Sequence, residues 1–287
     1  RGQGWQRAKS DQPDYCPVHG GESEWRILPA IDHPEEPARC AISGTGLTHV
    51  GSARNRQSMH ASTEADLTDS MKMFRWGIEG GRPASGSIGT APEWFYKGTG
   101  TSLRAHDEAL EVPAYAGDGG EEAEVAGIHL IAADGQPRRI GMACGNEFSD
   151  HIFEKTNYLK LAASKLRTCA LGPELVVDPG FASVPVEVKI ERAANLLWSK
   201  TFRTGENEMC HSLANIEHHH FKYEAHRRPG DIHIHFFGTD CLSFSDGINI
   251  VDGDVMQVSI EVFGRPLRNP VRVAGSKAEL ISVTALG

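Results

Sequence analysis

The sequence predicts a strand-rich α+β protein, and three observations carry that expectation. Residues 122–131 alternate, with Val125, Gly127, His129 and Ile131 on one side and Glu122 and Glu124 on the other, which is the two-residue period of a strand. Asp134-Gly135 is then a turn signal, and Ile140 to Cys144 a return strand, so the stretch folds into a hairpin. Further apolar runs at Ile232–Phe237 and Val255–Val262 read as strands, while helical patterning is confined to short stretches.

The remaining elements follow in chain order. Residues 1–36 are polar and rich in Gly, Pro and charge, and read as an N-terminal segment or the remnant of a small N-terminal domain. From residue 37 to 287 the pattern is that of one folded domain. Ala41 to Gly44 reads as a short strand entering a glycine turn, and Ser52 to Trp76 contains a helix with Met71, Met73 and Phe74 as apolar positions. Phe148 to Leu161 is helical or irregular. Glu174–Val177 and Val184–Arg192 are expected strands, with Asn195 in the turn that follows. Ser212 to Tyr223 is helical and is closed by Arg228-Pro229-Gly230. No internal repeat is evident.

Bulk properties exclude several functions. With 287 residues, 39% hydrophobic and 23% charged, the chain is an ordinary globular sequence large enough for one large domain or two smaller ones. Its net charge of −9 and lack of a dense Lys/Arg cluster argue against nucleic acid as the main partner. No apolar run approaches the roughly 18–20 residues of a membrane helix. With no signal peptide visible from Arg1 onward, a cytoplasmic location is expected. The six cysteines, Cys16, Cys40, Cys144, Cys169, Cys210 and Cys241, form no CxxC pair and read as reduced, mostly buried thiols.

Chemistry concentrates in carboxylates. Glu122 and Glu124 sit two apart on a strand, so their side chains share a face. Two adjacent carboxylates repel unless one is protonated or a cation lies between them, and oxygen-only sites suit hard divalent ions. Such a pair also occurs on solvent-facing acidic strands. Glu147 follows the return strand of the hairpin, where it can join the pair; its other reading is the first turn of a helix capped by Asn146. Lys165 is a candidate for pairing with a substrate carboxylate or for acting as a base. His218, His219 and His220 fan out by about 100° each on a helix and cannot all bind one ion. His233 and His235 alternate on a strand and share a face.

Taken in order from about residue 37 to 273, these pieces resemble the fumarylacetoacetate hydrolase superfamily. The resemblance rests on Glu122 and Glu124, Asn146-Glu147-Phe148-Ser149, Ser164-Lys165, Arg228-Pro229-Gly230-Asp231, Gly238-Thr239, and Gly253-Asp254 through Asn269-Pro270-Val271. It implies a mixed β-roll of the family's C-terminal domain type, a homodimer or higher homo-oligomer, and Mg²⁺ or Mn²⁺ held by Glu122, Glu124 and Glu147. It also implies a small 2-keto acid as substrate, held in part by Thr239 and Lys165. Glu147 stands where the family usually has Asp, and His151 where it usually has Arg. Hydrolytic members carry a His–Glu pair in a segment whose counterpart is Gly46 to Asn55; here Ser52 and Asn55 take those positions and cannot act as that base pair. His49 or His60 could substitute only from other positions. Thr45 to His49, Glu93 to Gly98 and Glu217 to Phe221 are similar to a branch that includes 2-keto-3-deoxy sugar acid dehydratases. The resulting expectation is a lyase that dehydrates such an acid, pentonate-like, to an oxo-acid semialdehyde. Lys165 and Glu147 would be its catalytic residues, and Thr239, Lys165, Ser52, Arg54, His49 and Lys97 its substrate contacts. A hydrolase of 2,4-diketo acids and a non-catalytic sugar-acid binder are the alternatives.

Overall fold

The hairpin that carries the acids is the centre of the fold. In the structure, a computed structural model that describes residues 26–60 and 68–286, strands β5 (Ala123–Ile131) and β6 (Pro137–Asn146) pair antiparallel around Asp134-Gly135. Gly135 takes a φ of 77°, the left-handed turn conformation that glycine adopts without strain. They form the core of a seven-stranded sheet, completed by β1 (Cys40–Gly46), β2 (Glu93–Thr99), β3 (Leu103–Arg104), β7 (Cys169–Leu171) and β10 (Ile232–Phe236), in the order β2-β1-β10-β5-β6-β7-β3. A five-stranded sheet follows the order β4-β12-β11-β8-β9. Its members are β4 (Leu110–Val112), β8 (Val184–Arg192), β9 (Asn195–Thr204), β11 (Val255–Ser259) and β12 (Leu267–Val273). Among the described residues there are five α-helices: α1 (Val50–His60), α2 (Asp69–Gly80), α3 (His151–Thr156), α4 (Leu161–Lys165) and α5 (Leu213–Phe221).

Alternation along β5 and β6 places residues in two different cores. Val125, Met142 and Cys144 pack with Val186, Val188, Ile190, Met256 and Val258 of the five-stranded sheet. Ala126, Ile128 and Ala143 pack instead with Ile42, Leu171, Ile234 and Phe236, inside the curl of the larger sheet. Glu124 shares the face of Ala126 and Ile128, so the acidic side of the strand ends within this curl rather than in solvent. The strand-rich α+β architecture expected from the sequence is the one observed.

Several local expectations are corrected. Glu174–Val177 forms no strand; only Val176 makes an isolated bridge, to Met142. Asn195 does not sit in the turn but opens β9, because Ala193 and Ala194 make the turn with φ of 49° and 61°, the primed-turn conformation that matches hairpin twist. The run from Val255 ends as a strand at Ser259 and finishes in a short 3₁₀ turn, Glu261–Phe263. The helix expected between Ser52 and Trp76 is two helices, α1 and α2. Residues 1–25 of the expected N-terminal segment, with Cys16, lie outside the described residues. The other five cysteines are free and buried, and no described helix is long and apolar enough to cross a membrane.

The outer face of β10 carries His233 and His235 beneath α5. Trp94 Nε1 donates to His220 Nδ1 at 3.1 Å, so His220 carries its own proton on Nε2 and gives that hydrogen bond to His233 Nδ1 at 2.9 Å. His235 lies between Ser43 Oγ (2.9 Å) and Thr45 Oγ1 (2.7 Å). Burial, reinforced by neighbouring imidazoles, holds His220 and His235 well below the usual histidine range and lowers His233 to about 4. These rings are neutral in the fold and take up protons near pH 6.5 when it unfolds. Stability should therefore decline as pH falls below about 6.5, by up to about 1.4 kcal/mol per pH unit for each such ring. Urea unfolding between pH 7 and 4.5 checks this: His233→Gln should flatten the slope, and an unchanged slope would show that this ring titrates alike in both states.

Candidate metal centre

Glu122 precedes β5 and Glu124 lies within it, two residues apart on one face. Glu147 directly follows β6, and its N–H donates to the Glu122 carbonyl at 2.9 Å, which extends the hairpin ladder by one rung. Phe148 then takes a φ of 46° and turns the chain so that Ser149 pairs with Gly120 through two hydrogen bonds of 2.9 and 3.0 Å. The reading of Asn146 as a helix cap does not hold. Asn146 ends β6 and its Oδ1 accepts from Glu122 N–H at 3.2 Å, while Asp150 caps α3. One oxygen from each of Glu122, Glu124 and Glu147 lies within 4.8 Å of the others, and all three side chains are buried.

Cations and donors converge on these acids. Lys165, at the end of α4, donates from Nζ to Glu122 Oε1 (2.6 Å), Glu147 Oε2 (2.5 Å) and Ser149 Oγ (3.0 Å). Its ammonium sits 4.6 Å from the centroid of the Phe95 ring, a cation–π contact. Lys97 on β2 lies behind them, fully buried, donating to Glu147 Oε1 at 2.5 Å and to the carbonyls of Phe148 (2.8 Å) and Lys165 (2.9 Å). His151 Nε2 stands 3.3 Å from Glu122 Oε1. Glu124 has no such cation: Oε2 accepts the Gly238 N–H at 2.7 Å. Gly238 has a φ of 95°, and a Cβ there would overlap Thr48 Oγ1, so the approach requires glycine.

Electrostatics separates the three acids. Burial pushes the Glu122 carboxyl up, but Lys165 and His151 outweigh it and hold Glu122 well below the usual range. Burial, then repulsion from Glu147 and Glu122, raises Glu124 well above it. Burial and Glu122 also raise Glu147, against the pull of Lys165 and Lys97. Burial disfavours the Lys165 charge, yet Glu122 and Glu147 keep the ammonium protonated beyond its ordinary value. Three buried carboxylate oxygens with one acid lacking a cationic partner are a donor set that fits a hard divalent ion such as Mg²⁺ or Mn²⁺.

Two of the acids, Glu122 and Glu124, line a cavity of about 30 Å³, while the fully buried Glu147 lies behind them. Glu122, Glu124 and Lys165 line one side, with Gly238 and Thr239 at its edge. Helix α1 forms the opposite wall with Ser52, Asn55, Arg56 and Met59, the i, i+3, i+4, i+7 face. Glu93 and Glu154 close the remainder.

The other residues named from sequence fall in different places. Thr239 and Ser52 reach the cavity; Thr239 Oγ1 donates to the Cys241 carbonyl at 3.3 Å and Ser52 Oγ to the His49 carbonyl at 2.8 Å. Arg54 is exposed and does not line the cavity; the guanidinium there belongs to Arg56. His49 is buried between Thr48 Oγ1 (2.8 Å) and Thr204 Oγ1 (3.1 Å), and burial lowers it to about 4. Lys97 is saturated by Glu147 and two carbonyls and acts on the acids from behind, with no free N–H for a substrate.

Sequence reasoning missed Glu93, Arg56, Glu154 and Tyr158. Glu93 Oε2 accepts from Tyr158 OH at 2.9 Å and lies 3.5 Å from Arg56 Nη1, while its buried Oε1 has no hydrogen-bond partner. Arg56 Nη2 pairs with Glu154. The signal for Glu93 was present, since Glu93, Phe95 and Lys97 alternate on the buried face of β2.

The fold is one that this chain shares with solved structures of several enzymes. A 2-keto-3-deoxyarabinonate dehydratase matches with a TM-score of 0.63 at 20% identity, covering 82% of this chain and 73% of that one. A 2-keto-3-deoxy-D-arabinonate dehydratase complexed with magnesium and 2,5-dioxopentanoate matches with a TM-score of 0.63 at 20% identity, covering 83% of this chain and 74% of that one. A 5-carboxymethyl-2-hydroxymuconate delta-isomerase from Mycobacterium smegmatis is more distant, with a TM-score of 0.52 at 17% identity and coverage of 82% and 80%. No protein-family model matches the chain, and no curated protein matches it.

Burial and the neighbouring acids favour the protonated form of Glu124, and an ion shared by the three acids works against it. Mg²⁺ or Mn²⁺ binding is expected to release a proton and to weaken as pH falls. Calorimetry in two buffers of different ionisation enthalpy reads the release directly, and binding without it would show Glu124 already ionised. Glu124→Gln should weaken the ion tenfold or more and abolish its stabilisation of the fold in thermal unfolding.

Proposed function

We propose that this chain is a metal-dependent lyase that dehydrates a 2-keto-3-deoxy sugar acid of the pentonate type. One observation carries the reading. The wall facing the acids is built from Ser52, Asn55, Arg56, Glu93 and Glu154, groups suited to a hydroxylated substrate, and the positions expected to carry a water-activating His–Glu pair are the Ser52 and Asn55 of that wall. The likeness to the arabinonate dehydratases supports the same class of reaction.

Glu122, Glu124 and Glu147 would hold Mg²⁺ or Mn²⁺, which supplies Lewis acidity to a 2-keto carboxylate. Lys165 is a protonated donor in this setting and its three N–H groups go to Glu122, Glu147 and Ser149, so it positions two of the acids rather than acting as a base. Thr239, which also lines the cavity next to Gly238, helps to orient the substrate. Glu93 Oε1, buried and without a donor, is the oxygen available to accept the C3 proton. The C4 hydroxyl then leaves as water, taking up the proton removed from C3; a proton shift from C5 to C3 gives a C4–C5 enol, and transfer of the enol O–H proton to C4 gives the aldehyde.

Purified protein incubated with Mg²⁺ and a panel of 2-keto-3-deoxypentonates should form an aldehyde product. Glu93→Gln should lower kcat about 100-fold, within the range general-base loss produces, without weakening the ion. Absence of metal-dependent aldehyde, or release of pyruvate from an acylpyruvate in its place, would overturn the assignment.

A further inference from the structure

Arg56 is a buried guanidinium in an unusual position. It stands on the cavity face of α1, with Nη1 3.5 Å from Glu93 Oε2 and Nη2 paired with Glu154 of α3. Its carbon lies 5.7 Å over the Tyr158 ring, and Tyr158 OH donates to the same Glu93 oxygen that Arg56 approaches. A buried Arg with two buried carboxylates is costly to assemble, and an apolar contact of the same volume would anchor α1 as well or better. The arrangement instead has a clear effect on one atom. Arg56 and Tyr158 both engage Oε2, which turns the carboxylate so that Oε1 is left without a donor.

We propose that Arg56 is the positioning residue for Glu93, engaging Oε2 so that Oε1 stays free beside Gly46 at the cavity, with Glu154 holding the guanidinium in place. The proposal rests on the reading of Glu93 as the group that takes the substrate proton. Because Arg56 arrives on α1, the carboxylate is set only when that helix is docked. Gly51 N–H donates to Asp240 Oδ1 at 2.6 Å at the start of the helix and so fixes it to the Gly238-Thr239 loop. Ser52, Asn55, Arg56 and Met59 of α1 line the cavity together with Glu93, so the same helix supplies both the wall and the guanidinium. The charged and titratable groups around Glu93 are Arg56 and His60 from α1, Glu154 from α3, Tyr158 beyond it, Lys165 from α4, and Glu122 and Glu124 across the cavity. Among these, Arg56 is the cation in contact with it.

The test is a double-mutant cycle on the Mg²⁺-loaded enzyme, with dehydration as the readout. Arg56→Met should lower kcat about 30-fold or more with KM changed less than threefold. Arg56→Lys should recover most of the loss. Arg56→Met placed on Glu93→Gln should cost less than a further threefold. A further tenfold loss in that double variant would mean that Arg56 acts elsewhere and would overturn the proposal. If wild-type protein shows no dehydration, the reading of the site fails separately. The positioning role is then decided by ¹³C-carboxyl NMR, with the Glu93 resonance assigned by its loss in Glu93→Gln. A Glu93 carboxyl resonance displaced in Arg56→Met at constant pH sustains the proposal, and an unmoved resonance overturns it.

Discussion

Three carboxylates buried within 4.8 Å of one another dominate this protein. At an effective dielectric of about 20, two like charges at that separation repel by roughly 3 kcal/mol, so the cluster exists only because cations are built around it. Lys165 comes from a short helix after the hairpin and Lys97 from a strand before it, and both ammonium groups are consumed by Glu122 and Glu147. The curl of the larger sheet, the rung between Glu147 and Glu122, and the turn at Phe148 all serve to bring these five side chains together. Glu124 is left with a backbone N–H alone, and this asymmetry makes the cluster receptive to a further positive charge.

The second organising feature is the division of β10. Ile232, Ile234 and Phe236 point into the curl, while His233 and His235 meet His220 on the other face. Just past its end, Gly238 delivers the N–H that Glu124 accepts. A single strand thus joins a neutral imidazole layer to the charged centre, and the parallel pairing of β10 with β1 ties both to the Gly46 side of the cavity.

Much of this was readable from residues because it is local. The period of two from Glu122 to Ile131 and the Asp134-Gly135 turn define the hairpin, and Glu147 follows at the distance a return strand needs. What escaped depends on the partner rather than on the segment. Strand β9 is largely exposed, so its side chains show no apolar alternation, and its turn uses Ala193-Ala194 in place of a glycine pair. Glu174–Val177 has strand-like residues but meets the sheet at one bridge only. The choice of Arg54 over Arg56 is a matter of helical phase: only the face carrying Ser52, Asn55 and Met59 turns toward the acids. Glu154 pairs with Arg56 across nearly a hundred residues, and no local pattern encodes that contact.

Gly46 stands opposite Glu93 in the β1–β2 ladder, and a Cβ at this position would collide with Glu93 Oε1. The two positions therefore behave as a single locus. A related chain that gains a side chain at 46 must withdraw, shorten or replace the acid at 93, and one that keeps the acid must keep the bare backbone. Joint inspection of these two positions would sort related sequences by whether they retain an unencumbered carboxylate in the cavity lined by Glu122 and Glu124, a division that overall similarity does not make.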